Sequence, residues 1–373
     1  MIRCFWAAVL AAGMLVSAIA QANPQEERRR ERLQTTVMSQ TLPLEKRIEA
    51  MRVLHADMLD PDGKIRRLFC VWDMLGKAGP VFTTVDDQRF RSMHYGLELT
   101  LTAYQDEQTL IDDLKSGKCD AGLISGTRAL EFNRFSGSLE APGAIPDMTH
   151  LQMLMQVVAS PRMVERMTEG NYVVLGVAAL GESYLFTESA DVLSLQQLGG
   201  KTLGVPVHEK ALRALAAQSK AQIQEGELLA VVDRFVSGET NAMLAPLIGY
   251  HVAGAGKAKP GMGIVNAPLS QSTIQLIGRA ERFPVGVGQM LREDFLFKFE
   301  SYVRRVETER GNIAASSWFA VSPEQRSALN TQLRDLRIRL RDQGMYDQQA
   351  LRLMKRIRCR VDPAATECQD ERE

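Results

Sequence analysis

The sequence predicts an α/β protein with a parallel sheet and covering helices, organised in two lobes. Three observations carry this. From Lys64 onward, short apolar runs of strand length alternate with amphipathic runs of helix length, the signature of strand–helix–strand units. The same alternation starts again after Tyr172. The chain has 373 residues, which is room for two cores rather than one.

The elements follow in order. Glu26 to Arg32 alternates Glu and Arg and reads as an exposed helix start. Leu44, Ile48, Met51, Leu54 and Met58 recur at helical spacing, so residues 23–63 form a helical N-terminal extension that ends at the turn Pro61-Asp62-Gly63. Ile65 to Val71 is a buried strand. Pro80 suits the first position of a helix running to Tyr95, and Gly96 stops it. Leu97, Leu99, Leu101 and Ala103 alternate with polar residues as a half-buried strand. Asp106 caps a helix ending at Gly117, and Ala121 to Ser125 is the third strand. Tyr172 to Leu180 is the next apolar strand. A second unit follows, with a strand at Thr202–Val205 and helices at Glu209–Gln218 and Gly226–Ser237. Ile274–Gly278 is a strand and Arg292–Glu309 one long amphipathic helix. Pro323 to Arg341 is a helix with Leu329, Leu333, Leu336 and Leu340 on one stripe and arginines on solvated faces. The end, 359–373, is a polar tail expected to be loose.

Residues 1–22 are set apart from the fold. Arg3 is a basic start, Phe5 to Ala20 is uncharged and mostly apolar, and Ala20-Gln21-Ala22 gives an A-x-A site before Asn23, which is the layout of a secretory signal peptide. The competing reading is a membrane anchor, but the stretch falls short of the ~20 residues of a spanning helix. Cys4 lies too early for lipoprotein acylation. Ala242 to Gly256 is apolar but holds Pro246, His251 and Gly249, so the mature chain contains no other candidate span. An exported periplasmic protein is expected.

Lys+Arg and Asp+Glu are both 45. A balanced chain argues against nucleic acid as a partner, because neutralising phosphates takes a basic surface. Beyond the leader remain Cys70, Cys119, Cys359 and Cys368, an even count in an oxidising compartment. Three pairings are open, as are free thiols; Cys70 with Cys119 and Cys359 with Cys368 are favoured. In a two-one-three strand order the strands carrying Cys70 and preceded by Cys119 are neighbours, although their opposite ends are expected to meet only with some bending.

Three ordered motifs carry a family resemblance. Leu114-Lys115-Ser116-Gly117 leads into Asp120-Ala121-Gly122-Leu123; Leu198-Gly199-Gly200-Lys201-Thr202-Leu203-Gly204-Val205-Pro206 follows; Trp318-Phe319-Ala320-Val321-Ser322-Pro323-Glu324-Gln325-Arg326 closes the set. Over 64–344 these resemble the TRAP-transporter (DctP-like) periplasmic solute-binding proteins. The block Phe69–Pro80 is similar to a divergent subgroup of solute-binding proteins sometimes labelled RND-type efflux components, a label that one leader and no spanning helices do not fit. The resemblance implies a two-lobed type II periplasmic-binding-protein fold with an inter-lobe cleft and long C-terminal helices. Lobe I would comprise 64–180 plus 268–310, and lobe II 181–267 plus 311–358. It also implies capture of a small molecule in the cleft and delivery to membrane transporter subunits. The alternative is a periplasmic interaction or assembly protein that kept the fold.

One departure matters. Where the resemblance places a ligand-clamping arginine, this chain has Gly204. A guanidinium fork is therefore missing, the glycine would leave space for a bulkier solute, and Arg128 is the substitute anchor.

Ligands sit beyond the carboxyl ends of parallel strands. The candidates in lobe I are Trp72, Asp73 and Lys77 after the first strand, and Ser125, Thr127 and Arg128 after the third. Gly76 to Gly79 would let backbone N–H groups approach an anion. In lobe II they are Ser183 and Tyr184, then Glu239 and Asn241, with Thr240 between. No nucleophile elbow or phosphate-binding loop is present, and His55, His94, His150, His208 and His251 make no metal-ligand pair, so no enzyme, cofactor or metal is expected.

Overall fold

The structure is a computed structural model and describes residues 24–254 and 257–373. The leader and Cys4 lie outside the described residues. Helices Pro24–Met38 and Leu44–Leu54 pack together on lobe I, held by Arg47, which donates to the Val37 carbonyl and, at 2.6 Å, to Glu293.

Strands β1 (Ile65–Trp72), β2 (Leu97–Tyr104) and β3 (Ala121–Ser125) are parallel, with β1 between the other two. Their helices are Pro80–Ser92 and Glu107–Ser116. Asp106 caps the second by accepting from the N–H groups of Gln108 and Thr109, and Gly117 ends it at φ 84°. Cys70 and Cys119 form a disulfide without the expected bending. The reason is register: β3 is short and starts level with the middle of β1, Ala121 opposite Phe69, so Cys119 arrives beside Cys70. The Asp120 carboxylate and N–H clamp the same place through the N–H and carbonyl of Leu68.

The remaining strands are β4 (Thr168–Glu169), β5 (Tyr172–Thr187), β6 (Thr202–Pro206), β7 (Gln222–Gly226), β8 (Ala242–Pro246), β9 (Gly263–Val265), β10 (Ser270–Arg279) and β11 (Trp318–Phe319). The main sheet runs β2-β1-β3-β10-β5-β8-β6-β7. β5 does not stop at Leu180. It continues through Gly181, at φ 106°, for 16 residues. Its Tyr172–Ser183 part pairs with β10 in lobe I and its Ser183–Thr187 part with β8 in lobe II, so this strand joins the lobes. The edge strand β7 has no counterpart in the sequence reading, because its polar Gln-Ile-Gln-Glu-Gly run is mostly exposed.

The helix expected over Arg292–Glu309 is two, Val285–Phe297 and Phe299–Gly311, divided at Lys298. Pro323–Asp342 is a single helix with a full capping box between Ser322 and Gln325. Its arginine face is not all solvated. Arg337 is 1% exposed and donates to Glu373 and Glu367, while Arg358 on helix Gln348–Val361 donates to the same two carboxylates. The tail expected to be loose is therefore clasped: Glu373 is buried between two guanidinium groups, and Cys359–Cys368 closes the segment.

Candidate solute-binding cleft

The carboxyl ends of β1, β3, β6 and β8 face one another where the lobes meet. Thr127, after β3, donates its hydroxyl to the His208 carbonyl of lobe II at 3.3 Å. Arg128 Nη1 lies 3.1 Å from His208 Nδ1. An arginine only donates, so this nitrogen accepts. Arg128 is buried and its other nitrogens are committed to Glu131 and Gln108. Trp72 meets Leu180, Ile248 and Val252 around a hollow of about 10 Å³, room for no more than one water. The lobes are thus in contact, a closed arrangement.

Three glutamates converge on this junction. Glu107, beside its helix cap, accepts from the Ser125 N–H at 2.6 Å. Glu140 accepts from the N–H and hydroxyl of Thr273, and its carboxylate lies where a side chain at Gly126 would stand. Glu209 follows β6. Burial pushes the Glu107 and Glu209 carboxyls up to about 7, with repulsion from Glu107 adding to the effect on Glu209. Burial, then repulsion from Glu209, holds Glu140 well above the usual carboxylate range. Glu140 and Glu209 remain partly accessible, so they line the junction rather than pack into the core. Among the described residues no three His, Cys, Asp or Glu side chains form a metal-ligating group.

The model of the family "Solute-binding protein AdeT 1/2" matches residues 85–373. This chain belongs to that family. It is 28% identical over 299 residues to "Probable solute-binding protein AdeT1" of Acinetobacter baumannii, covering 80% of this chain and 98% of that protein. With AdeT2 of the same organism it shares 24% over 233 residues, covering 62% and 98%. The AdeT 1/2 chain also has the fold of TRAP periplasmic solute-binding proteins. One from Desulfovibrio salexigens, with bound orotic acid, superposes at TM-score 0.63 with 10% identity over 79% of this chain and 99% of that one. One from Shewanella oneidensis, with bound succinate, gives 0.62 with 10% identity over the same shares.

In this AdeT 1/2 protein the candidate residues separate into two groups. Trp72, Ser125, Thr127 and Arg128 come together at the lobe junction. Asp73 lies next to them but is consumed: it accepts from the N–H groups of Leu75, Val81 and Phe82. It therefore fills the helix N-terminus that Gly76–Gly79 was expected to offer an anion, and a Cβ at Gly79 would collide with it. Lys77 turns to an outer groove with Arg66, Asp86 and Glu98.

The lobe II candidates are placed elsewhere. Ser183 is buried within the sheet, its hydroxyl 3.1 Å from that of Ser272. Tyr184 is fully buried in the lobe II core, edge-on to Trp318 and hydrogen-bonded to Glu182 and Arg310. Glu239 is exposed beyond helix Leu228–Ser237, and Asn241 binds Thr202 and Glu188. Both precede β8, so they sit at the amino ends of the strands, opposite the cleft. Nor does Gly204 leave space: a Cβ there would stand 3.0 Å from Val231 and 3.6 Å from Met243.

The sequence reading missed Glu107, Glu140, His208 and Glu209. Three had a signal. His208 and Glu209 follow the end of a predicted strand, and Glu107 opens the helix that leads to the third. Glu140 had none.

Proposed function

We propose that this protein captures a small solute between its lobes in the periplasm and presents it to membrane transporter subunits, and that the solute is neutral or cationic. The single observation behind the solute class is the facing of Glu107, Glu140 and Glu209 at the lobe junction, with Arg128 already committed to Glu131, Gln108 and His208. A carboxylate ligand would find no free guanidinium fork and would oppose ionisation of these three carboxyls. A solute rich in N–H or O–H groups would satisfy carboxylates that are otherwise costly to bury. Trp72, Ser125 and Thr127 complete the proposed contact set. Capture itself is supported by the family match and by the ligands held by proteins of the same fold. Opening would be a hinge motion about β5 and β10.

Thermal-shift screening followed by calorimetry decides the class, since a solute that binds only the folded chain raises its melting temperature. Polyols, amino sugars and amines are expected to bind at micromolar concentration, and succinate or malate only weakly. Micromolar dicarboxylate binding would overturn the proposal. A silent screen across all classes would favour the assembly-protein reading.

A further inference from the structure

Lobe I contains a cavity of about 130 Å³ that is separate from the glutamate junction. It lies between one face of β1, β3, β10 and β5 and the helices Pro80–Ser92, Val285–Phe297 and Phe299–Gly311. Val71, Leu123, Ala178, Ile274, Leu276 and Leu291 form its wall. An apolar cavity of this order, roughly 150 Å³, stays dry and accepts a benzene-sized ring.

The polar groups around the cavity fall into two sets. Asp294 is closed off by Arg91, Tyr95 and Lys298, and Arg305 by Thr84 and Glu309. By contrast, Gln88 Oε1 is buried with no partner among the described residues. Among the described residues the Tyr302 hydroxyl makes no hydrogen bond either, while burial pushes its pKa up, so it stays protonated and able to donate. Leu180 and Ile248 line both this cavity and the hollow beside Trp72, so one end of the cavity lies at the lobe junction.

We propose that this cavity is a second ligand site, for a single aromatic ring carrying one hydroxyl or N–H group, the ring against the aliphatic wall and the polar atom between Gln88 and Tyr302. With the Gln88 amide turned toward the cavity it lines, the group would donate to Oε1 and accept from Tyr302, which satisfies both. The inference does not depend on the identity of the solute in the cleft.

Phenol is the probe, with benzene as its control. Methyl NMR of the mature chain should show saturable shifts at Leu123, Ile274, Leu276 and Leu291. Phenol should bind about five- to tenfold more tightly than benzene, the net gain from pairing its hydroxyl, and the pair Gln88→Leu and Tyr302→Phe should remove that preference. Ala178→Leu should fill the cavity and abolish binding. Should that variant not fold, xenon in crystals of the unaltered chain reads the same space. Absence of saturable shifts at these methyls and of xenon in the cavity overturns the proposal, as does phenol binding that survives in a folded Ala178→Leu protein.

Discussion

Arg128 and His208 face each other across the cleft, guanidinium Nη1 to imidazole Nδ1 at 3.1 Å, and bind the lobes directly. Replacing Arg128 by alanine removes this contact and leaves Glu131 half-paired. The expected result is a larger radius of gyration by small-angle scattering and a loss of about 1.5–3 kcal/mol in urea unfolding, the usual worth of hydrogen bonds to a charged group. An unchanged radius and an unchanged midpoint would show that the contact does not hold the lobes closed.

Glu107 and Glu209 titrate near 7 in the folded protein because burial disfavours their charge. Their folded pKa lies above the unfolded one, so the stability they contribute is fully present below about pH 4.5 and is lost as pH rises through about 7. Glu107→Gln keeps an acceptor for the Ser125 N–H and removes the titration. Relative to the unaltered protein, the variant should gain on the order of 2 kcal/mol in stability between pH 5 and pH 8. Parallel melting curves across that range would refute the assignment.

The Cys70–Cys119 disulfide links positions 49 apart in sequence. Replacing both cysteines by alanine should cost about 2–4 kcal/mol in denaturant unfolding, chiefly by releasing the unfolded chain. Non-reducing peptide mapping should recover both this pair and Cys359–Cys368, and free thiols at those positions would contradict the pairing.

Glu373→Ala leaves Arg337 and Arg358 buried with the Glu367 carboxylate to share and one backbone carbonyl each, Pro142 and Ala144. The expected cost is about 3 kcal/mol, since removing one member of a buried ion group strands its partners. Replacing Arg337, Arg358 and Glu373 together by apolar residues should cost less than the single change, which a denaturation series would test.

The exported protein should begin at Asn23 by mass spectrometry. A retained Met1 in membrane fractions would favour the anchor reading of the leader.

Several residues of the lobe junction were legible because they stand at strand ends. Trp72 closes β1, and Ser125, Thr127 and Arg128 follow β3, where a parallel sheet places its ligands. The same rule was misapplied to Glu239 and Asn241, which precede their strand. Tyr184 was misplaced too: it lies in the part of β5 that pairs with β8 inside lobe II, where both faces of the strand are covered and its ring joins the core. Glu140 was invisible because its partner Thr273 lies 133 residues away and no local pattern announces the meeting.

The sequence by itself determined the α/β alternation, the Asp106 cap, the glycine stops and the short list of cysteine pairings. Each of these depends on residues within a few positions, where spacing and backbone sterics act directly. Only the tertiary structure decided that β5 runs on through Gly181 into the second lobe, that Glu373 is buried between two arginines, and that three glutamates share one junction. Those outcomes rest on pairing and burial between distant segments, whose energies depend on which partner arrives rather than on local periodicity.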